Sequence, residues 1–189
     1  MKSAKVIGAL VSNMFNSCTS LKSVEIAGDG ITTIPPNCFC NCTSLTSVSF
    51  SNIATIVSIQ ANAFMNCTSL ASLKLQDMAL TSIGANAFSG MTMTSIDLPA
   101  TITSPTQLDP GFLNGTSVKS LKFLGMTYDA MWQERTSFSA FGSAIGLDME
   151  IIASNGKKYG LDGTGLKKLD ITAVVLIIAM GYNSNNASG

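Results

Sequence analysis

The sequence predicts a mainly β fold in which about five similar coils of chain stack into a solenoid that ends in a small cap. A segment centred on phenylalanine recurs every 24 or 25 residues, and apolar and polar residues alternate after each copy. The residues after Leu124 lie outside this repeat. With 189 residues and 46% hydrophobic content, the chain is long enough to bury a core.

Each repeat supplies the same four apolar positions. The first two columns are Phe15, Phe39, Phe64, Phe88 and Phe112, and Leu21, Leu45, Leu70, Met93 and Val118. The other two alternate with polar residues as in a half-buried strand, and they are Val24, Val48, Leu73, Ile96 and Leu121, and Ile26, Phe50, Leu75, Leu98 and Phe123. One coil cannot bury these groups alone, so we expect the coils to stack with their strands about 4.8 Å apart.

Asparagines recur on both sides of the phenylalanine. Those two residues before it are predicted to cap a short helical turn, and they are Asn13, Asn37, Asn62 and Asn86. Those after it are predicted to end the turn with left-handed backbone angles, and they are Asn41, Asn66 and Asn114, with Gly90 in the fourth unit.

The pattern F-x-x-C-x-S-L-x-S-V-x-I, followed by I-x-x-I-x-x-x-A-F, resembles the BspA-like class of leucine-rich repeats, which is found in bacterial surface proteins and in phage-encoded proteins. The match runs from about Val6 to Leu124. The resemblance implies a right-handed leucine-rich-repeat β-solenoid that binds proteins or serves as a structural spacer, without catalysis. In the fourth unit MTMTSIDL lacks one residue and a proline-rich linker follows, so we expect coil four to be distorted.

Residues 1–124 are predicted to form the solenoid, and residues 125–189 a capping or attachment module with a mobile tail. The module should contain a short helix capped by Thr127, a hairpin that turns at Asn155-Gly156, and a last strand over Leu169–Tyr182. The segment from LKFLGMTYDAM to FGSAIGLDMEIIASNG also resembles a C-terminal module that follows such repeats in phage proteins. The match is partial, because Asn155 stands where that module has aspartate.

The composition argues against several classes of function, namely nucleic-acid binding, histidine-dependent catalysis and zinc binding. Eleven basic residues balance eleven acidic ones, only 12% of residues are charged, and histidine is absent. A nucleic-acid target, a histidine-dependent catalytic triad and a histidine-ligated zinc site are therefore excluded, and we expect no cofactor. Asp148 and Glu150 could form a carboxylate pair, but a solvated strand face is the favoured interpretation.

The five cysteines are predicted to be free thiols. Cys18, Cys42 and Cys67 occupy one inward column, and their parallel side chains suit a disulfide poorly. Cys38 and Cys40 have only C-x-C spacing and no histidine nearby, which disfavours zinc.

The outward positions beside the strands vary from coil to coil, and this variable face is the candidate protein-binding surface. It comprises Lys22, Glu25, Thr46, Ser49, Lys74, Asp97, Lys119 and Lys122.

The sequence thus predicts a non-enzymatic protein-binding or structural solenoid, expected to be a virion or phage-appendage component used in attachment, decoration or a fibre. The alternative is a fragment of a bacterial surface adhesin. The expected partner is a protein or host-surface molecule, and assembly into a homo-oligomer or larger particle is possible. The location is expected to be a virion or a cell surface, without a signal peptide in this chain. The apolar run Ile171–Tyr182 is too short to cross a membrane.

Overall fold

A computed structural model describes residues 2–28, 30–141, 149–162 and 164–168. The strands in this part of the chain are β1 (Ser3–Val6), β2 (Ser23–Ile26), β3 (Thr33–Ile34), β4 (Ser47–Phe50), β5 (Ser58–Ile59), β6 (Ser82–Ile83), β7 (Ser95–Leu98), β8 (Ser120–Phe123), β9 (Glu150–Ile152), β10 (Lys158–Asp162) and β11 (Gly165–Lys168). One α-helix, α1, spans Tyr128–Gln133. Short 3-10 helices lie at Ile53–Thr55, Leu75–Asp77, Pro105–Gln107 and Arg135–Phe138.

The predicted column of phenylalanines is confirmed, and it runs through all five coils. Neighbouring rings stack nearly parallel at 5.4 Å between Phe15 and Phe39 and at 5.1 Å between Phe39 and Phe64. The Phe64 and Phe88 rings lie 6.0 Å apart, still stacked. The last pair, Phe88 and Phe112, is 6.2 Å apart and meets edge to face. We name coils one to five after these five phenylalanines in order.

Parallel strands join the coils on two faces, as the repeat requires. One face carries a sheet in the order β1-β2-β4 and a second sheet in the order β11-β10-β9-β8-β7. A narrower face carries the sheet β3-β5-β6. Where parallel strands of two coils pair on the first of these faces, the repeat positions face each other, so that Val24 lies opposite Val48 and Ile96 opposite Leu121. The fold class predicted from the repeat is therefore confirmed.

The segments around the phenylalanines are turns in place of the expected helical turns, and they span residues 12–17, 36–41, 61–66, 85–90 and 110–115. In coil two, the N–H groups of Asn37, Phe39 and Asn41 all donate to carbonyl oxygens of coil three, at 3.1, 2.8 and 2.8 Å. A helical turn would direct these N–H groups along its own axis, so bonding between coils replaces it.

The asparagines that precede the phenylalanines are not helix caps, contrary to prediction. Asn37 and Asn62 have φ of 53° and 57°, in the left-handed region, and the Asn62 Nδ2 donates to the Asn37 Oδ1 at 3.1 Å. The left-handed angles predicted after the phenylalanine are confirmed at Asn41 and Asn66. In coil five that angle belongs to Gly115 (φ 66°) and not to Asn114.

Coil three is distorted on its strand face, whereas coil four, where a distortion was expected, is irregular in its linker, in which Leu108 makes only an isolated bridge to Ile83. Coil four forms the regular strand β7. Its proline-rich linker contains the 3-10 helix Pro105–Gln107, whose N-terminus is capped reciprocally by Ser104 and Gln107. In coil three, Lys74 has φ −79° and ψ 61°, and the Leu75 N–H donates to the Leu73 carbonyl at 2.9 Å. These are the marks of an inverse γ-turn. The Leu75 N–H and the Leu73 carbonyl bond to each other and not to a neighbouring coil, so residues 71–75 form no strand on the face that carries β4 and β7.

The cap continues the sheet of the last coil. β9 pairs in parallel with β8, and β10 and β11 follow in antiparallel order. The predicted hairpin is present, with Gly156 at φ 81° in its turn, and Thr127 caps α1 by accepting from the Ala130 N–H at 3.2 Å. Phe141 extends the phenylalanine column at 6.1 Å from Phe112. The predicted strand Leu169–Tyr182 lies outside the described residues.

All five cysteines are free thiols, but they do not share one environment. Cys42 and Cys67 are buried, and their thiols donate to the carbonyls of Phe15 and Phe39, each at 3.0 Å. Cys18 was predicted to lie inward, but it is exposed. In the described part of the chain, no coil stacks on the outer side of coil one at this position.

Candidate functional site

The candidate protein-binding face is divided into two patches by coil three. The first patch lies on β2 and β4 and contains Lys22, Glu25, Thr46 and Ser49. The second lies on β7 and β8 and the adjoining residues, and it contains Asp97, Lys119 and Lys122. The strands that carry the face are therefore interrupted at coil three.

The first patch is ordered by contacts between coils. The Lys5 Nζ lies 2.7 Å from a carboxylate oxygen of Glu25, with both side chains about half exposed. The Thr46 hydroxyl donates to the Lys22 carbonyl at 2.9 Å, and the Ser49 hydroxyl donates to the Val24 carbonyl at 3.5 Å. Lys22 and Glu25 keep their charged ends in solvent, where a partner can contact them.

The second patch adjoins the cap. Asp97 lies directly opposite Lys122 in the β7–β8 register, yet no ion pair joins them in the described part of the chain. Lys119 is exposed, and its carbonyl accepts the Glu150 N–H at 2.8 Å. Glu150 pairs with Lys158 at 2.8 Å. The patch therefore lies on the solenoid and borders the cap at β9.

Glu25, Ser49, Asp97 and Lys122 lie within strands, whereas Lys74, at the same repeat position of coil three, does not. It is the central residue of the inverse γ-turn, and its side chain is exposed. The segment SLKL of coil three differs little from SLKF, which forms β8 in coil five. Because such similar segments adopt different structures, intrinsic strand propensity does not decide the outcome, and the turn geometry does.

A groove of about 360 Å³ opens where β4 and coil three separate. Its walls include Val48, Phe50 and Leu73, which the repeat predicts to be buried but which are only partly buried. The equivalent Val24 and Ile26 of coil one are 2% and 1% exposed. The loss of strand pairing at coil three thus leaves apolar side chains accessible from the candidate face.

A second groove of about 270 Å³ lies on the other side of coil three, toward β7. It runs along Lys74 and Gln76 on one wall and Ser95 and Asp97 on the other. Three of its apolar wall residues, Leu75, Met93 and Ile96, are only 1%, 3% and 4% exposed, so this groove has the more polar lining. Residues 71–75 of coil three therefore form no ladder with β4 or with β7.

Sequence reasoning missed these grooves and the accessible side chains in them. Val48 and Phe50 fit the buried columns, so their pattern gives no sign of exposure. Asp77 also lines the larger of these two grooves, and no feature of the repeat indicates this. The inverse γ-turn that creates the grooves has no distinct sequence signature here.

The described residues offer little for catalysis. They contain no buried charged side chain and no cluster suited to a metal ion. Burial raises the pKa of the Cys38 thiol to about 12 and that of Cys42 to about 11, so both are poor nucleophiles near neutral pH. Of the predicted carboxylate pair, Glu150 is paired with Lys158 and Asp148 lies outside the described residues.

Across the part of the chain that the structure describes, no helix has the length and apolar character needed to span a bilayer.

The family model of the BspA type leucine-rich repeat region matches residues 4–110. The chain belongs to this BspA-type leucine-rich repeat family. The match covers more than half of the chain and includes the first four coils and the linker that follows them. It stops before the cap, so the resemblance of the cap to a phage module stays a prediction. None of the curated proteins searched matches the chain.

Two solved structures show a similar fold. One is a leucine-rich repeat protein of T. pallidum, with 19% identity and a TM-score of 0.52 over 80% of this chain and 63% of that one. The other is a leucine-rich repeat protein of Bacteroides ovatus, with 20% identity and a TM-score of 0.50 over 64% of this chain and 39% of that one. The chain thus spans less than two thirds of either bacterial protein.

Proposed function

We propose that this BspA-type solenoid is a non-enzymatic protein-binding module that contacts a protein or host-surface molecule through its strand face. The proposal rests on where the coils place their apolar side chains and their variable polar side chains. Apolar groups fill the interior, whereas the residues that vary between coils, such as Lys22, Glu25 and Asp97, face solvent on one side. Solenoids use such extended faces for recognition.

A photo-crosslinking experiment tests this proposal. A photoreactive amino acid is placed at Ser49 or at Asp97 on the strand face, and at Gln60, which is exposed elsewhere on coil two, as the matched control. The variants are produced in the native host and irradiated. We expect one defined adduct from Ser49 or Asp97 and none from Gln60. Equal adducts from all three positions, or none, would contradict the proposal.

We propose that the solenoid works within a virion or phage appendage, in attachment, decoration or a fibre. Only 12% of the residues in the chain are charged and the net charge is zero, so its surface repels neighbouring molecules weakly, which suits permanent assembly with a partner. Self-association into a homo-oligomer is compatible with the same surface. Mass spectrometry of purified particles tests this setting, because a structural component should be present at a fixed ratio to the capsid protein.

The second candidate setting is a bacterial cell-surface adhesin. The origin of both similar solved structures in bacteria favours it. Protease treatment of intact cells distinguishes the two settings, because an adhesin would be cleaved from the surface and a particle component would remain with the particles.

We further propose that residues 1–124 form the solenoid and residues 125–189 a module that caps its last coil. The pairing of Ser120 with Glu150 and the contact of Phe112 with Phe141 support this role for the cap. A cap prevents the last coil from presenting unpaired strand groups and apolar side chains.

A further inference from the structure

We propose that the groove between β4 and coil three binds an extended segment of a partner protein as an added strand, and that this segment has an apolar-acidic-apolar pattern. The proposal rests on the protein-binding function above and names its site and the chemistry of its partner. Strand addition of this kind derives affinity from main-chain hydrogen bonds and specificity from alternate side chains.

The backbone of β4 is available on the side that faces coil three. In the described part of the chain, no backbone hydrogen bond joins β4 to residues 71–75. The Ser51 N–H donates to the Ile26 carbonyl at 2.8 Å, on the β2 side. Because N–H groups alternate in direction along a strand, Val48 and Phe50 direct theirs toward the groove. An added strand would find both donors unoccupied.

The side chains of the groove favour an apolar strand. Val48 and Phe50 on one wall and Leu73 on the other are partly exposed, although the same columns are buried in coil one. A segment with apolar residues at alternate positions would cover all three. Covering them would complete the core where β4 has no strand from coil three beside it.

The charge of Lys74 determines which residue suits the central position of the added strand, between its two apolar residues. Glu25 pairs with Ser49 in register, and Lys74 occupies the same repeat position one coil further on. The central side chain of an added strand would therefore lie between Ser49 and Lys74. Lys74 is exposed and makes no ion pair within the described residues. An acidic side chain complements it, and Asp77 on the groove wall disfavours a second one.

Two strands of the solenoid itself contain this pattern, as Val24-Glu25-Ile26 in β2 and Ile96-Asp97-Leu98 in β7. The first of these already pairs with the opposite edge of β4. Opening the groove further would break no ladder bond, because residues 71–75 form none with β4. A strand of the β2 type is thus the occupant that the groove fits.

The experiment uses two synthetic peptides and the full chain. The first peptide, KSVEIA, copies residues 22–27, and the second, KSVKIA, replaces its glutamate with lysine. Binding is followed by NMR titration at millimolar peptide, with amide hydrogen exchange measured in parallel. Lys74→Glu is the test variant, and Lys167→Glu, at an exposed lysine of β11, is the matched control.

We expect KSVEIA to slow exchange of the Val48 and Phe50 amides and to bind about two- to fivefold more tightly than KSVKIA, as a surface ion pair allows. Lys74→Glu should reverse this preference, and Lys167→Glu should leave it unchanged. Absence of binding, or binding without protection at Val48 and Phe50, would overturn the inference. If crosslinks from Ser49 or Asp97 persist in that case, protein binding stands and only the groove assignment fails.

Discussion

The Asn66 side chain donates a hydrogen bond of 2.9 Å to the side-chain oxygen of Asn41, one coil away. Both residues have left-handed backbone angles, with φ of 59° and 60°. The Asn66 N–H also donates to the Ser89 carbonyl at 2.8 Å. One residue type therefore serves two purposes, because asparagine tolerates this conformation and its amide links neighbouring coils.

Replacement of Asn66 separates these two contributions. Asn66→Ala loses the side-chain bond and places a Cβ at positive φ, so we expect a loss of about 2–3 kcal/mol of unfolding free energy. Asn66→Gly keeps the backbone angle at lower cost and should lose about 1–2 kcal/mol. Urea denaturation measures both. Equal losses would show that the left-handed angle carries no strain, and Gly90 at the same position in coil four argues against that result.

A substitution in the second apolar column tests whether that column lies in a core from which water is excluded. Leu70 is fully buried, and Leu70→Asp should unfold the solenoid because an unpaired buried carboxylate costs several kcal/mol. Ala71→Asp places the same charge one residue later, at an exposed position, and serves as the control. Circular dichroism during heating should show a cooperative transition for the control alone. A Leu70→Asp protein that melts like the parent would place this column outside the core.

Thiol reactivity reports the environment of the cysteines. Cys18 is exposed, whereas Cys38, Cys40, Cys42 and Cys67 are buried. Native protein treated with iodoacetamide near neutral pH should therefore be alkylated once, at Cys18, and five times after denaturation. Mass spectrometry counts the adducts. Rapid modification of Cys42 or Cys67 in the native protein would contradict the stacking of coils one to three.

The buried thiols also make stability depend on pH. Burial raises the pKa of Cys38 to about 12 and that of Cys42 to about 11 from the ordinary value of 9.0. The folded state therefore favours the protonated thiols, and their contribution is complete below pH 9 and declines as pH rises from there toward 11 or 12. The slope approaches about 1.4 kcal/mol per pH unit for each such thiol.

Urea denaturation between about pH 7 and 10.5 checks this dependence. Cys42→Ala should show a smaller loss above pH 9 than the parent, because one of the titrating groups is removed. Identical pH profiles for the two proteins would mean that the Cys42 thiol is not protected from ionisation in the folded state.

In the cap, Tyr159 is fully buried, and its hydroxyl donates to the Tyr128 carbonyl at 2.9 Å. Its ring stacks on Tyr128 at 4.1 Å and on Trp132, the single tryptophan, at 5.8 Å. Tyr159→Phe keeps the stacking and loses the bond, so we expect about 1–2 kcal/mol of destabilisation. Tryptophan fluorescence follows the unfolding of this region, and an unchanged midpoint would argue against the hydrogen bond.

The solenoid could be predicted from sequence because its period repeats the same apolar columns, and stacking is the arrangement that buries them all. The cap helix and hairpin could be predicted because Thr127 and Asn155-Gly156 are strong local signals. The turns could not, because asparagine suits a helix cap and a left-handed residue equally well. Only bonding between coils, as at Asn37, favours the second role.

The candidate face was predicted in part. The outward direction of Glu25, Ser49, Asp97 and Lys122 follows from strand alternation. The break at Lys74 does not, because SLKL and SLKF carry the same pattern and only one forms a strand. A backbone turn of three residues decides the shape of this surface, and pattern analysis does not detect it.

The central claim is that the coils stack through hydrogen bonds at the phenylalanine turns, and that residues 71–75 of coil three form no ladder with β4 or β7. Amide hydrogen exchange on the full chain tests this claim most directly. The N–H groups of Phe39, Phe64 and Phe88 donate between coils at 2.8, 2.8 and 2.9 Å, so they should exchange near the rate of global unfolding. Those of Ser72 and Leu73, which make no such bond in the described chain, should exchange rapidly. Rapid exchange at the three phenylalanines would contradict the stacked solenoid, and slow exchange at Ser72 and Leu73 would contradict the break.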